Sequence, residues 1–237
     1  MYKYSLAILM AALLSFSCSA CLKGSSVSDD KDPMTLKQDT LERQLLVNGR
    51  IWRNNFLHID GHQFLFSKDF LPGTVTINGK IFSDKNIRLK YDICNDELLT
   101  VTASGTVVQL NKELVDFFTL DFGNKTFRFI RLEENSINNL TGYVQVLYTG
   151  MTPLYIKHKK EVRLRTSVGD KDTFIETYRL LIVKDKEARM VKNKAALPRL
   201  LEDHREEMKN FLRSNRLHAS KTNPGGFVPA LTYYDSL

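Results

Sequence analysis

The feature that most constrains this chain is a series of short β-type segments, punctuated by turn dipeptides, that extends from about residue 45 to 183. Turn signals stand at Asn48-Gly49, Asp60-Gly61, Asn78-Gly79, Asn95-Asp96, Ser104-Gly105, Gly123-Asn124 and Gly169-Asp170. These residue types reach the positive φ angles, or make the local side-chain bonds, that chain reversals need. In Ile87-Arg88-Leu89-Lys90-Tyr91-Asp92-Ile93 the apolar residues take every second place. A strand's side chains alternate between two faces, so Ile87, Leu89, Tyr91 and Ile93 are expected to be buried and Asp92 exposed. Further strands are expected at residues 98–102, 107–110, 115–122, 127–132, 142–148, 154–159, 161–166 and 174–183. No helical crossover separates them, which argues against parallel βαβ units. The expected fold is mainly β (α+β): a curled antiparallel β-meander sheet or half-barrel.

The period changes after Lys194. Leu197, Leu200, Leu201, Met208, Phe211 and Leu212 recur at three- and four-residue spacings, so a C-terminal amphipathic helix over about residues 195–215 should pack its apolar stripe on the sheet. Pro198 suits its first turn, where a missing N–H is harmless. Leu231, Tyr233 and Tyr234 in the tail should dock back. The folded domain therefore spans residues 45–237.

Ahead of it, Lys3, an apolar run over residues 6–14 and the small residues Ser15, Ser17, Ser19 and Ala20 have the order of a bacterial signal peptide, residues 1–20. The run is too short to span a membrane. Cys18, preceded by Leu14-Ser15-Phe16-Ser17, is the expected lipidation site, with Cys21 as the alternative and cleavage after Ala20 as a third outcome. Residues 21–44, rich in Ser, Asp and Lys, form a flexible tether. Cys94, the remaining cysteine, lies in a strand-like segment and is expected to be a small buried apolar residue with no disulfide partner in the mature domain.

Gly79-Lys80-Ile81-Phe82, the stretch from Leu89 to Leu98, residues 200–217 and the closing Tyr233-Tyr234-Asp235-Ser236-Leu237 resemble an uncharacterised family of exported β-rich envelope proteins of Bacteroidota type. The resemblance implies a Gram-negative address, as an outer membrane lipoprotein or in the periplasm, and no catalytic residue. Asp39-Thr40-Leu41 and Asp235-Ser236-Leu237 also resemble the Asp-Ser/Thr-aliphatic sites at which exported proteins of that group are O-glycosylated.

The residues give little sign of catalysis. In a hairpin turning at Asp60-Gly61, His58 and His62 fall on opposite faces, so they do not share a metal. His204 lacks the second histidine of a helical zinc motif, and neither His158 nor His218 has evident ligand partners. Asp92, Asp96 and Glu97 cluster, but without the ligand pattern of a calcium loop. Neither a cofactor nor a metal is implied. The formal net charge is +7, and the strongest basic concentration, Lys157 to Arg165, is expected to present Arg163 and Arg165 outward with Val162 and Leu164 inward. Arg163, Arg165, Lys159 and Lys160 are thus the partner-binding candidates, for an envelope protein, glycan or lipid headgroup. Export and the absence of interleaved exposed aromatics argue against nucleic acid. The expected function is an exported envelope binding or structural module. The alternatives are a periplasmic carrier of lipid or another apolar ligand, and a hydrolase with an unrecognised site.

Overall fold

The computed structural model describes residues 49–167 and 171–237, together with Gln44 and Leu46. The leader, Cys18, Cys21, Asp39-Thr40-Leu41 and nearly all of the tether lie outside the described residues. The antiparallel, mainly-β architecture is as expected. Its strands divide over two sheets, neither of them closed into a barrel.

The five-stranded sheet has the order β1 (Arg50–Ile51), β7 (Val107–Gln109), β6 (Glu97–Val101), β5 (Arg88–Asp92), β2 (Leu71–Pro72). The eight-stranded sheet runs β13 (Glu187–Met190), β12 (Thr173–Lys184), β11 (Leu154–Arg163), β10 (Leu140–Tyr148), β9 (Lys125–Ile137), β8 (Val115–Phe122), β3 (Val75–Ile77), β4 (Lys80–Phe82). Neighbouring strands in each ladder are antiparallel. Turn chemistry sets the register. Asn78 and Gly79, with φ of 49° and 74°, close the β3–β4 hairpin, and Asp185 and Lys186, with φ of 54° and 60°, close β12–β13, as the right-handed twist of paired strands requires. Residues 154–163 form one ten-residue strand, where two were expected.

In the register Phe129 stands beside Gln145 and Gln145 beside Ile156, so these side chains share one face of the eight-stranded sheet. Over β8–β10 that face meets the five-stranded sheet, burying Leu89, Tyr91 and Leu98 against Val75, Ile77, Phe118, Leu120, Phe129 and Tyr143. Over β11–β12 it is covered by helices. Leu154, Ile156, Leu180 and Ile182 pack against Leu197, Leu201, Met208, Phe227, Leu231 and Tyr234.

The expected single helix is broken. A short α1 (Leu197–Leu200) ends at Leu201, whose φ of −112° and ψ of 63° are not helical. The chain then makes a 3-10 turn before α2 (Arg205–Ser214). Met208 is fully buried and Phe211 is half-buried, stacked on Tyr233 at 4.2 Å. The tail forms α3 (Val228–Tyr234), with Leu231 and Tyr234 buried. Asp235 secures it by accepting from Tyr148 Oη at 2.8 Å and from the Thr152 amide.

Candidate functional site

The carboxylate cluster that the sequence singles out lies at the β5–β6 turn, and its members have different roles. Asp92 is fully buried, against the exposure that strand alternation implies. It sits at the strand's end, where its carboxylate turns back to accept from the Cys94 and Asn95 amides at 2.9 and 3.0 Å and from the Asn95 side chain at 3.0 Å. Burial nonetheless pushes its pKa up. Cys94 itself is in the turn, not a strand, and is half-buried; burial raises its thiol pKa, which keeps it a weak nucleophile.

Asp96 pins the other side of the turn. At φ 59° it is in the left-handed region, and its carboxylate accepts from Tyr91 Oη at 2.6 Å, Lys112 Nζ at 2.6 Å, Lys157 Nζ at 3.0 Å and the Tyr143 amide at 3.3 Å. Burial opposes ionisation of Asp96, but Lys157 and Lys112 outweigh it and hold the pKa below the usual carboxylate range. Gly142 makes room for this contact: its φ is 78°, and a Cβ there would lie 1.9 Å from Asp96 Oδ2.

A turn fixed from both sides presents Asn95 and Glu97 to an open cleft of about 440 Å3, within the roughly 300–1,000 Å3 range typical of ligand sites. The opposite wall comes from the first ordered stretch of the domain. Gly49 lets this stretch run hard against β7, since a Cβ there would lie 1.9 Å from Gln109 O. β1 then pairs Arg50 with Gln109, and the Trp52 amide continues the ladder to Val107 O at 3.0 Å. Arg50, Ile51, Trp52, Arg53, Asn55 and Phe56 line this wall, and Gln63 and Gln109 complete the cleft.

Several of these side chains are held in place. Arg50 donates to Gln109 Oε1 at 2.6 Å and pairs with Glu97 at 3.3 Å. Asn54 accepts from the Phe56 amide at 3.0 Å and from Gln63 at 3.2 Å. Trp52 leans on Phe64 at 5.8 Å, and Phe56 meets Phe174 edge-on at 5.3 Å. Arg53 and Asn55, by contrast, have no partner among the described residues. Glu97 is the one acidic residue of the lining among the described residues, and burial followed by nearby Asp92 raises its pKa.

The histidines lie elsewhere. Residues 52–70 form an irregular segment rather than a hairpin turning at Asp60-Gly61. His58 is exposed, while His62 is half-buried and stacked against Phe64. His158 sits at the seam between the two covered parts of the large sheet, bonded through Nε2 to Gln145 at 2.7 Å and flanked by Phe66, Phe129 and Tyr178. Burial pushes its pKa down to about 4. Among the described residues, no three His, Cys, Asp or Glu side chains come together as a metal site would need.

The expected basic stripe is only partly assembled. Lys159 and Arg163 are exposed on one face of β11, with Lys159 paired to Glu161 at 2.5 Å. Arg165 is exposed beyond the strand's end, where its amide donates to Asp172 at 2.8 Å. Lys160 is instead buried, because strand parity turns it inward. There its ammonium donates to Phe64 O at 2.6 Å and pairs with Glu176 at 3.2 Å. Leu164, expected inside, is 70% exposed because the ladder ends at Arg163 and nothing covers it.

The cleft itself was not picked out from the sequence. The available signal was Trp52, the one tryptophan, set between Arg50 and Arg53 just after the first strand of the domain. Compared with known proteins, the chain matches no family model, no curated protein and no solved structure.

Proposed function

We infer that the protein is a non-catalytic binding module of the bacterial cell envelope, exported by its leader and held by lipid at Cys18 or Cys21. The observation that carries this reading is the cleft, which holds an arginine and an asparagine without partners among the described residues, beside a tryptophan and a phenylalanine, on a turn braced by the buried Asp92 and the partly buried Asp96. A recognition site of this kind is preorganised, so little ordering opposes binding. Catalysis has less support. Asp92 and Asp96 are committed to the turn, and among the described residues Glu97 stands in the lining without the second carboxylate that glycoside hydrolysis requires. The carrier reading is weaker too, since Phe118, Phe129, Tyr91 and Tyr143 fill the space between the sheets.

The test is retention on isolated envelope. The mature chain carrying Cys18→Ser and Cys21→Ser, which removes lipid attachment, should sediment with an insoluble envelope fraction. The same chain with Trp52→Ala and Arg53→Ala should stay in the supernatant while melting at an unchanged temperature. Equal sedimentation of the two proteins, or none by either, overturns the reading.

A further inference from the structure

We propose that the cleft binds an acidic oligosaccharide, with Trp52 and Phe56 as the ring platform, Asn55 and Asn95 as hydroxyl readers and Arg53 as the anion contact. The proposal rests on the binding-module reading and names the ligand class of that site.

The chemistry follows from the lining. A sugar ring has one face of C–H groups, which an aromatic ring covers well, and a rim of hydroxyls that each donate and accept. Planar amides serve such a rim because each offers both donors and acceptors. The fixed Asn95 is well suited: one N–H of its NH2 group is bound to Asp92 Oδ2 at 3.0 Å, which orients the amide and leaves its carbonyl oxygen and second N–H for a ligand. Asp92, fully buried, thereby positions a recognition residue without reaching the cleft. Trp52 and Phe56 are both half-buried and both line the cleft, each supported from behind by Phe64 or Phe174. An aromatic held in this way loses little freedom on binding.

Charge selects the class of sugar. Among the described residues of the lining two arginines face one glutamate, and that glutamate is already paired to Arg50. Arg53 is the cation of the lining that no described residue compensates. A guanidinium grips a carboxylate or phosphate through two parallel N–H bonds, and the chain's overall charge of +7 adds attraction for an anionic polymer. The polar character of the remaining lining, Gln63, Gln109 and the two asparagines, does not suit an apolar ligand.

Trp52 also supplies the readout, being the chain's one tryptophan. Its fluorescence in the mature chain should be titrated with tetragalacturonate, with the fully methyl-esterified tetramer as a neutral control, and with mannose 6-phosphate as a phosphate-bearing probe. Tetragalacturonate or mannose 6-phosphate should shift the emission and bind at least about tenfold more tightly than the neutral tetramer; which of them does so identifies the anion. Arg53→Ala should lose about tenfold for the anionic probe and little for the neutral one. Asn95→Ala should weaken both anionic and neutral binding, read by calorimetry. Equal affinity for charged and neutral tetramers overturns the charge argument. If no probe binds while envelope retention still depends on Trp52 and Arg53, the ligand class is wrong and the module reading stands. New reducing ends in the tetragalacturonate sample would show hydrolysis and overturn both.

Discussion

Replacing Asp96 with asparagine removes one charge while keeping the side chain's shape and its tolerance of the left-handed backbone at φ 59°. What remains is Lys157, whose side chain is 15% exposed, and Lys112, 37% exposed, facing each other with no anion between them. Removing one partner of a fully buried ion pair costs about 3–5 kcal/mol. The Asp96 side chain is 24% exposed, so solvent screens part of this, and we expect a loss of about 2–3 kcal/mol at pH 7. For a domain of this size that is a fall of roughly 4–12 °C in midpoint. The loss should depend on pH. Because the folded-state pKa of Asp96 is depressed, its contribution is fully present above the unfolded value near 3.8. It disappears as pH falls through the lowered folded value. Urea unfolding of both proteins at pH 7 and at successively lower pH provides the assay. The two curves should converge in acid. A variant within about 0.5 kcal/mol of the parent at pH 7 would refute the assignment of Asp96 as the charged brace of the β5–β6 turn.

Gly142→Ala places a Cβ against the same carboxylate and strains a positive-φ position, so equilibrium unfolding should show a loss of about 2–4 kcal/mol. Met208→Ala should cost about 2–5 kcal/mol, because the side chain is fully buried under the helices. Phe211→Ala should cost only about 1–2 kcal/mol, since its half-buried ring loses mainly its stacking on Tyr233; thermal melts that reverse this order would contradict the packing described. His158, neutral down to about pH 4 in the folded state against a reference of 6.5, should make the protein lose about 3 kcal/mol as the pH falls from 6.5 to 4. The unfolded chain takes up a proton there that the native chain refuses. The fall should flatten in His158→Gln.

The strands were legible where alternation and turn chemistry agreed. Ile87, Leu89, Tyr91 and Ile93 are all buried, and Asn78-Gly79 and Gly123-Asn124 close hairpins between β3 and β4 and between β8 and β9. Alternation failed for Asp92 because a strand's last residue can turn its side chain inward when the following turn supplies N–H donors. Lys160 obeys the alternation, on the inward face it shares with Val162, but its burial was not legible because the Phe64 carbonyl and Glu176 carboxylate that satisfy its ammonium come from other parts of the chain. β13 was missed because Asp185-Lys186 closes a tight hairpin without glycine. The division into two sheets rests on long-range pairing, such as β1 with β7, which no local pattern encodes. The cleft depends on that same pairing, which brings residues 50–56 beside Asn95, Glu97 and Gln109.

The most direct test of the binding cleft is hydrogen–deuterium exchange of the mature chain, with and without saccharide extracted from its own envelope. The account predicts protection concentrated at residues 50–56, 63, 95–97 and 109, and lost with Trp52→Ala and Arg53→Ala. Protection at Arg163 and Arg165 instead, or none in the residues lining the cleft, would contradict it.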